Sequence, residues 1–225
     1  MSQIIIEFTW LQGSGKTTVF KRIQDHFLQP DIYFFSDPRL ATSRFLRYLH
    51  RICILLVSPL TILYLMRFVI LLGGRKSFMV FWQLSYVFYQ LFCTQSKRGY
   101  VVYDEFYLHR LYATSLDAEA THELHIDRYV WLFTNIYPIH FSTSYNTHIA
   151  RTTARQHAWY YYDKLSVYQK KILMQKYWHL SFDIVQKYCD LTNKPYLEVD
   201  GDASIEVKTQ QVIKHINYIL SITWY

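Results

Sequence analysis

The feature that most constrains the fold is a glycine-rich turn near the N-terminus, in the stretch QIIIEFTWLQGSGKTTVFKRI. A β-branched run at residues 4–6 precedes the turn and is typical of a buried strand. After the turn, Val19, Phe20, Ile23 and Phe27 recur at helical spacing, which predicts a helix that begins near Lys16. A strand that passes through glycines directly into a helix is typical of parallel β–α–β units.

The turn, Gly13-Ser14-Gly15-Lys16-Thr17-Thr18, has the form of a phosphate-binding loop. In such a loop the backbone N–H groups surround phosphate oxygens, and the helix N-terminus adds partial positive charge. We expect Lys16 to reach the β- and γ-phosphates of ATP and the Thr17 hydroxyl to hold Mg²⁺. The residues predicted to bind the nucleotide are Gln12, Gly13, Ser14, Gly15, Lys16, Thr17 and Thr18.

Trp10 stands where this motif normally begins with a glycine. That glycine serves the turn that leaves the strand, so its replacement changes the rim of the loop and leaves the phosphate-binding part intact. The alternative is an ordinary Gly-Ser turn followed by a helix that carries a lysine. We favour a working loop with an altered rim.

Further strands are predicted at residues 31–35, 100–103, 139–141 and 196–199, and a last helix follows through Val207, Val212 and Ile216. Short strands separated by helical segments predict a three-layer α/β/α chain with a five-stranded parallel sheet. The length of 225 residues and the 51% hydrophobic content suit a single domain, residues 1–225.

Residues 45–95 form an unusually apolar, helical region, which we place on the acceptor side of the domain. The part ICILLVSPLTILYLMRFVILLGGRK is long enough to span a membrane, but Ser58-Pro59 interrupts it and Arg67 would lie at the bilayer centre. A buried helical pair is our first interpretation. The second is a peripheral membrane or protein contact through residues 52–92, and a homodimer also stays open.

Two carboxylates follow predicted strands and are candidates for chemistry. Asp37 comes after residues 31–35 and Asp104 after residues 100–103, so both would lie over the same crevice as Lys16. Asp104 has the form of an acid that organises Mg²⁺, and Asp37 is a candidate base for an attacking hydroxyl. The alternatives are a helix N-cap for Asp104 and a turn for Asp37.

Arg151 and Arg155 are four residues apart and would share a helical face in a polar segment, about residues 145–165, that we interpret as a lid. Arginines that close over the γ-phosphate would neutralise charge in the transition state and exclude water. The alternative is a solvated basic helix face.

The formal charge of +7 indicates anionic partners, and ATP accounts for it. No helix-turn-helix, zinc-finger or RNA-recognition signature accompanies the charge, so we expect no nucleic acid. The three cysteines, Cys53, Cys93 and Cys189, lack metal-ligand spacing and indicate buried thiols in a reducing compartment. Because the first strand begins almost at once, we expect a cytoplasmic protein.

These residues together resemble the thymidylate kinase and deoxynucleoside kinase group of P-loop kinases. The resemblance rests on the strand–GSGKTT–helix unit, on Asp104, on the two lid arginines and on the ending YLEVDGDASIEVKTQQVI. It covers most of the chain in outline but is weak from about Phe45 to Phe92. It implies a five-stranded parallel sheet and ATP-dependent transfer to an acceptor bound opposite the nucleotide.

The chain also departs from this group. Asp104-Glu105-Phe106 stands where thymidylate kinases have Asp-Arg-Tyr, so an acid replaces the arginine that grips the acceptor phosphate. We therefore expect a kinase that phosphorylates a hydroxyl of a neutral acceptor, such as a nucleoside, a sugar or a glycan. The alternatives are a nucleoside monophosphate kinase, with Arg39 or Arg44 replacing the lost contact, and a non-catalytic ATP-binding module that recruits a partner.

Overall fold

A parallel β-sheet forms the centre of the chain. The computed structural model describes residues 3–10, 14–35, 63, 77–94, 96–111, 133–154 and 166–223. Its strands lie in the order β2-β3-β1-β4-β5 and every neighbouring pair is parallel, which confirms the predicted α/β class and five-stranded sheet. The strands are β1 Ile4–Trp10, β2 Ile32–Phe35, β3 Tyr100–Tyr103, β4 Ile136–Ser142 and β5 Leu197–Asp200.

Helices lie between and after the strands. They are α1 Lys16–His26, α2 Ser77–Thr94, α3 Tyr145–Ala154, α4 Val167–Thr192 and α5 Ile205–Thr223. Local sequence explains the ends of α4: Ser166 and Gln169 form a capping box at its start, and Asn193 takes the left-handed conformation after its last turn. Residues 107–111, after β3, are also helical.

The sheet is covered on both faces because its strands alternate between two hydrophobic clusters. Ile6 and Phe8 of β1 belong to a cluster with buried residues of α1 and α5. Ile5 belongs to a second cluster with residues of α2, α4 and the segment after β3. Glu7 and Thr9 therefore extend toward the α2 and α4 side, where two polar groups lie buried in the most central strand.

β4 begins earlier than the sequence predicted. The sequence predicts a strand at residues 139–141, but the strand already includes Pro138, which lies within Ile136–Ser142 and pairs with Glu7 of β1. The pairing of β4 with β5 begins only at Ile139. A proline lacks an N–H group, so it fits a strand where one side still has no neighbouring strand.

The apolar region is described only in part. Residues 77–94 form a helix, as predicted, and its Tyr86 and Val87 are buried. Apart from Leu63, residues 45–76 lie outside the described residues. Among the helices that the structure describes, none is both long and apolar enough to cross a bilayer. Cys189 is buried as predicted, whereas Cys93 near the end of α2 is exposed and that part of the cysteine prediction is wrong.

Candidate active site

The glycine-rich loop leads from the central strand into α1. β1 continues through Trp10, which pairs with Phe141, so the strand reaches the position of the motif's missing glycine. Gly15 caps α1 with a φ of 83°, a conformation that favours glycine. Its carbonyl oxygen accepts the N–H groups of Thr18 and Val19 at 3.1 and 3.2 Å. The helix therefore begins at Lys16, as the motif predicted.

Lys16 and Asp104 form a nearly buried ion pair at the carboxyl end of the sheet. Lys16 is 2% exposed, and its Nζ lies 2.6 Å from Asp104 Oδ1. The same ammonium donates a hydrogen bond to the Asp104 carbonyl oxygen. A buried ammonium needs such partners, because removing it from water carries a large desolvation cost. The structure thus brings together two residues that the sequence pointed to separately.

Glu105 places a second carboxylate beside this pair. Its oxygens lie 3.7 Å from Lys16 Nζ, 3.4 Å from Arg110 Nη2 and 3.5 Å from His109 Nε2. Arg110 and His109 are themselves buried. The segment that follows β3, at the carboxyl end of the sheet, therefore contains a compact cluster in which basic and acidic side chains alternate.

Helix α2 contacts this cluster from the side that the sequence assigned to the acceptor. The Arg110 guanidinium lies over the Tyr86 ring, 4.8 Å from its centroid. Gln90 Nε2 donates to the Glu105 carbonyl oxygen at 2.7 Å. Tyr86 and Gln90 are almost completely buried, so α2 contributes polar atoms to an interior position. These contacts fix the segment after β3 against the apolar region.

Glu7 lies beneath the cluster and supports it. Its carboxylate accepts the backbone N–H groups of Phe106, Leu108 and His109 at 3.1, 2.9 and 2.8 Å. These N–H groups open the helical residues 107–111, so Glu7 acts as an N-terminal cap supplied by another strand. Burial raises the pKa of Glu7 to about 7, although the three N–H groups and Lys16 act to lower it.

A second polar cluster connects the glycine-rich loop with α5, with α3 and with the loop after β5. Lys208 of α5 donates to the carbonyl oxygens of Ser14 and Gly201 at 3.1 and 2.9 Å. Arg151 of α3 donates to the same Gly201 oxygen at 3.1 Å and lies 3.4 Å from Asp202. Burial, with a smaller contribution from Arg151, lowers the pKa of Lys208. The loop after β5 therefore joins the glycine-rich loop to the predicted lid helix.

The predicted site residues fall into three groups. Lys16, Asp104, Ser14 and Arg151 take part in the two clusters above, and Gly15 caps α1. Thr17 and Thr18 lie exposed in the first turn of α1. Gln12, Gly13, Asp37 and Arg155 lie outside the described residues, as do Arg39 and Arg44.

The oxygen donors of the site fit Mg²⁺. Among the described residues no group of three or more His, Cys, Asp or Glu side chains forms a metal site. Mg²⁺ bound with nucleotides needs only one or two protein oxygens, because phosphates and water supply the others. Asp104 offers a carboxylate at the sheet edge, and Thr17 offers an exposed hydroxyl in the first helical turn.

Sequence reasoning did not find Glu7, Arg110 or Lys208. A glutamate inside the run IIIEF was a usable signal, because a charged residue in a central parallel strand needs partners. Lys208 gave no such signal, since a lysine in an amphipathic helix is ordinarily solvated. Arg110 follows Glu105 at five residues, a spacing with no motif attached to it.

The strand order and the glycine-rich loop define a P-loop NTPase-type α/β/α fold. The chain is similar to a deoxyadenosine kinase from M. mycoides, solved with the products dCMP and a flexible dCDP, at a TM-score of 0.57 and 12% identity over 96% of this chain and 100% of that one. The same kinase with dATP aligns at a TM-score of 0.49 and 14% identity, over 95% and 100% of the two chains. No protein-family model and no curated protein matches the sequence. At this identity the first similarity establishes the fold alone.

Proposed function

We propose that the chain is an ATP-dependent kinase that transfers the γ-phosphoryl group to a hydroxyl of a small neutral acceptor, with nucleosides as the first class to test. The observation that carries this proposal is the buried Lys16–Asp104 pair at the end of the glycine-rich loop. A lysine at the start of α1 and a strand-end carboxylate beside it support this proposal, because phosphoryl transfer uses a lysine for the phosphates and a carboxylate for Mg²⁺. The fold shared with a deoxyadenosine kinase supports the nucleoside class.

The proposed roles follow from position and chemistry. Lys16 would exchange its Asp104 partner for oxygens of the triphosphate, which carries more negative charge than one carboxylate, and Asp104 and Thr17 would then hold Mg²⁺. The ion supplies charge neutralisation between the β- and γ-phosphates. Asp37 is the proposed base that receives the acceptor proton. Arg151 and Arg155 are the proposed lid cations that would neutralise charge on the transferred group.

Glu105 favours an acceptor that arrives without a phosphate. Among the described residues, its carboxylate already lies beside Lys16 and Arg110, and Lys16 also pairs with Asp104. An acceptor phosphate would meet Glu105 as a like charge at close range, which is unfavourable in a poorly solvated site. A hydroxyl meets no such penalty and can donate a hydrogen bond to a carboxylate.

The experiment is transfer of labelled γ-phosphate from ATP to separate panels of nucleosides, nucleoside monophosphates, sugars and glycans. The variants are Lys16→Ala and Lys21→Ala, since Lys21 is an exposed lysine on the same helix. We expect labelling of a nucleoside by the parent chain and by Lys21→Ala, and loss of labelling in Lys16→Ala. Equal transfer by Lys16→Ala would refute the assignment of the phosphate-binding loop.

The panels also separate the competing functions. Labelling confined to nucleoside monophosphates would replace the proposal with a monophosphate kinase. ATP binding without transfer to any panel would favour the non-catalytic module, and the apolar region 52–92 would then be the place to look for its partner.

A further inference from the structure

We propose that Lys208 is a positioning residue on α5 that sets the orientation of the phosphate-binding loop. This inference rests on the proposed function, because it concerns how the same loop presents its backbone to phosphates. Lys208 lies on α5, 194 residues after Ser14, and is 4% exposed. A lysine this deeply buried is uncommon unless its ammonium has specific partners.

The partners of Lys208 are two backbone carbonyl oxygens. Its Nζ lies 3.1 Å from the Ser14 oxygen and 2.9 Å from the Gly201 oxygen, both at hydrogen-bond distance. Carbonyl oxygens carry negative partial charge, so they can stabilise the buried ammonium. Because no carboxylate is needed as its partner, the contact places no full negative charge beside the loop that would repel phosphate. The contact is therefore suited to a loop that must bind anions.

The Ser14 contact determines where the next N–H group points. In a planar trans peptide the C=O and the following N–H point in opposite directions. Lys208 holds the Ser14 carbonyl oxygen on the α5 side, so the Gly15 N–H points to the opposite side of the loop. The Gly15 N–H belongs to the cap residue directly before α1 begins at Lys16, next to the helix N-terminus that attracts phosphate.

Gly15 shows how closely Lys208 approaches the loop. A Cβ atom at Gly15 would lie 3.1 Å from Lys208 Nζ and 3.2 Å from Ile205 Cδ1. Gly201 is more confined still, because its Cβ would lie 2.5 Å from the Ser142 carbonyl oxygen and 3.1 Å from Ser14 Cβ. The ammonium thus lies against two glycine-containing backbone segments, one with little room and one with none for a Cβ atom.

The Gly201 contact connects this support to α3. Because Arg151 donates to the same carbonyl oxygen, Lys208 and Arg151 share one acceptor on the loop after β5. A change at Lys208 therefore disturbs both the phosphate-binding loop and the segment that anchors the predicted lid helix.

The test compares Lys208→Met with Lys214→Met, which removes an exposed lysine from the same helix. Binding of ATP is measured by titration calorimetry, and the Gly15 amide resonance of ¹⁵N-labelled protein is followed as inorganic triphosphate is added. In Lys208→Met we expect the ATP Kd to rise on the order of tenfold and the Gly15 amide response to shrink. Lys214→Met should match the parent chain in both measurements.

The outcomes distinguish failure of the role of Lys208 from failure of the proposed function. Unchanged ATP affinity and an unchanged Gly15 response in folded Lys208→Met would overturn the role of Lys208 and leave the proposed function intact. If Lys208→Met does not fold, the parent chain decides, since a Gly15 amide that ignores triphosphate while ATP binds would also overturn it. A parent chain that binds no ATP would overturn the proposed function and this inference together.

Discussion

Glu7 leads to a specific prediction for the pH dependence of stability. The carboxyl group is completely buried in β1, and burial raises its pKa from the ordinary 4.5 to about 7. The folded chain therefore binds this proton more tightly than the unfolded chain does. It follows that the contribution of Glu7 to stability is fully present below pH 4.5 and is lost as the pH rises to about 7.

The displacement of the Glu7 pKa from 4.5 to about 7 corresponds to about 3 kcal/mol in the free energy of unfolding. Glu7→Gln removes the titration while keeping the size of the side chain. The amide resembles the protonated acid, although its NH₂ group cannot accept the Leu108 N–H as Oε2 does. Glu7→Gln is therefore expected to lose about 1 kcal/mol relative to the parent chain at low pH and to be the more stable of the two above pH 7.

The assay is equilibrium unfolding in urea at several pH values between 4.5 and 8, for the parent chain, Glu7→Gln and Glu198→Gln. Glu198 is an exposed carboxylate on β5, so its variant should follow the parent chain. His140 has the opposite effect on the pH dependence of stability, because burial lowers its pKa to about 4. It is common to all three proteins, so its effect cancels in the differences between them. A constant difference between parent and Glu7→Gln across this range would refute the reasoning.

Two further predictions concern the loop and the strand-end carboxylate. Asp104→Asn should lower turnover on the order of 10²-fold and weaken its Mg²⁺ dependence, measured as initial rates against Mg²⁺ concentration; an unchanged metal dependence would remove Asp104 from that role. Gly15→Ala should reduce ATP affinity, measured by calorimetry, because φ is 83° and the new Cβ would press on Lys208. Gly99→Ala is its matched control: the Cβ would lie 2.6 Å from the Asp31 carbonyl oxygen, so it should destabilise the fold yet leave the ATP affinity of the folded chain unchanged.

The sheet was predictable because its signals are local. The central parallel strands β1 and β3 are buried on both faces and therefore appear in the sequence as short apolar runs, residues 4–6 and 100–103. The start of α1 was predictable for the same reason, since Gly15 and Lys16 specify a helix N-terminus within a few residues. The start of β4 was not, because Pro138 is acceptable only where β5 has not yet begun to pair, and that depends on a strand far away in sequence.

The ion pair between Lys16 and Asp104 was only half predictable. The sequence placed both residues at carboxyl ends of parallel strands, which lie along one edge of the sheet. It did not specify that Asp104 would approach Lys16 to 2.6 Å, with Glu105 at 3.7 Å. Those distances depend on how the backbone turns after β3, and the contact from Gln90 of α2 helps to fix that turn.

Glu7 and Lys208, which support the site, could not be predicted from the sequence because their partners come from distant elements. Glu7 accepts an N–H group 102 residues away, and Lys208 donates to a carbonyl 194 residues away. The strand order nevertheless limits where such partners arise. β1 is the middle strand, so polar groups in β1 and in the loop that follows it can meet the segments that follow strands on either side.

For Glu7 the relevant segment follows β3, and its helical N–H groups are the donors. For the glycine-rich loop the relevant segment is the turn after β5. Strand β5 pairs with β4, and the helix α5 that follows the turn brings Lys208 to the Ser14 carbonyl oxygen. Once the order of strands is known, a buried acid in β1 indicates a helix N-terminus after β3. A buried lysine early in the last helix likewise indicates a carbonyl of the phosphate-binding loop. Both signals gain meaning only from the topology, which is why residue patterns read along the chain missed them.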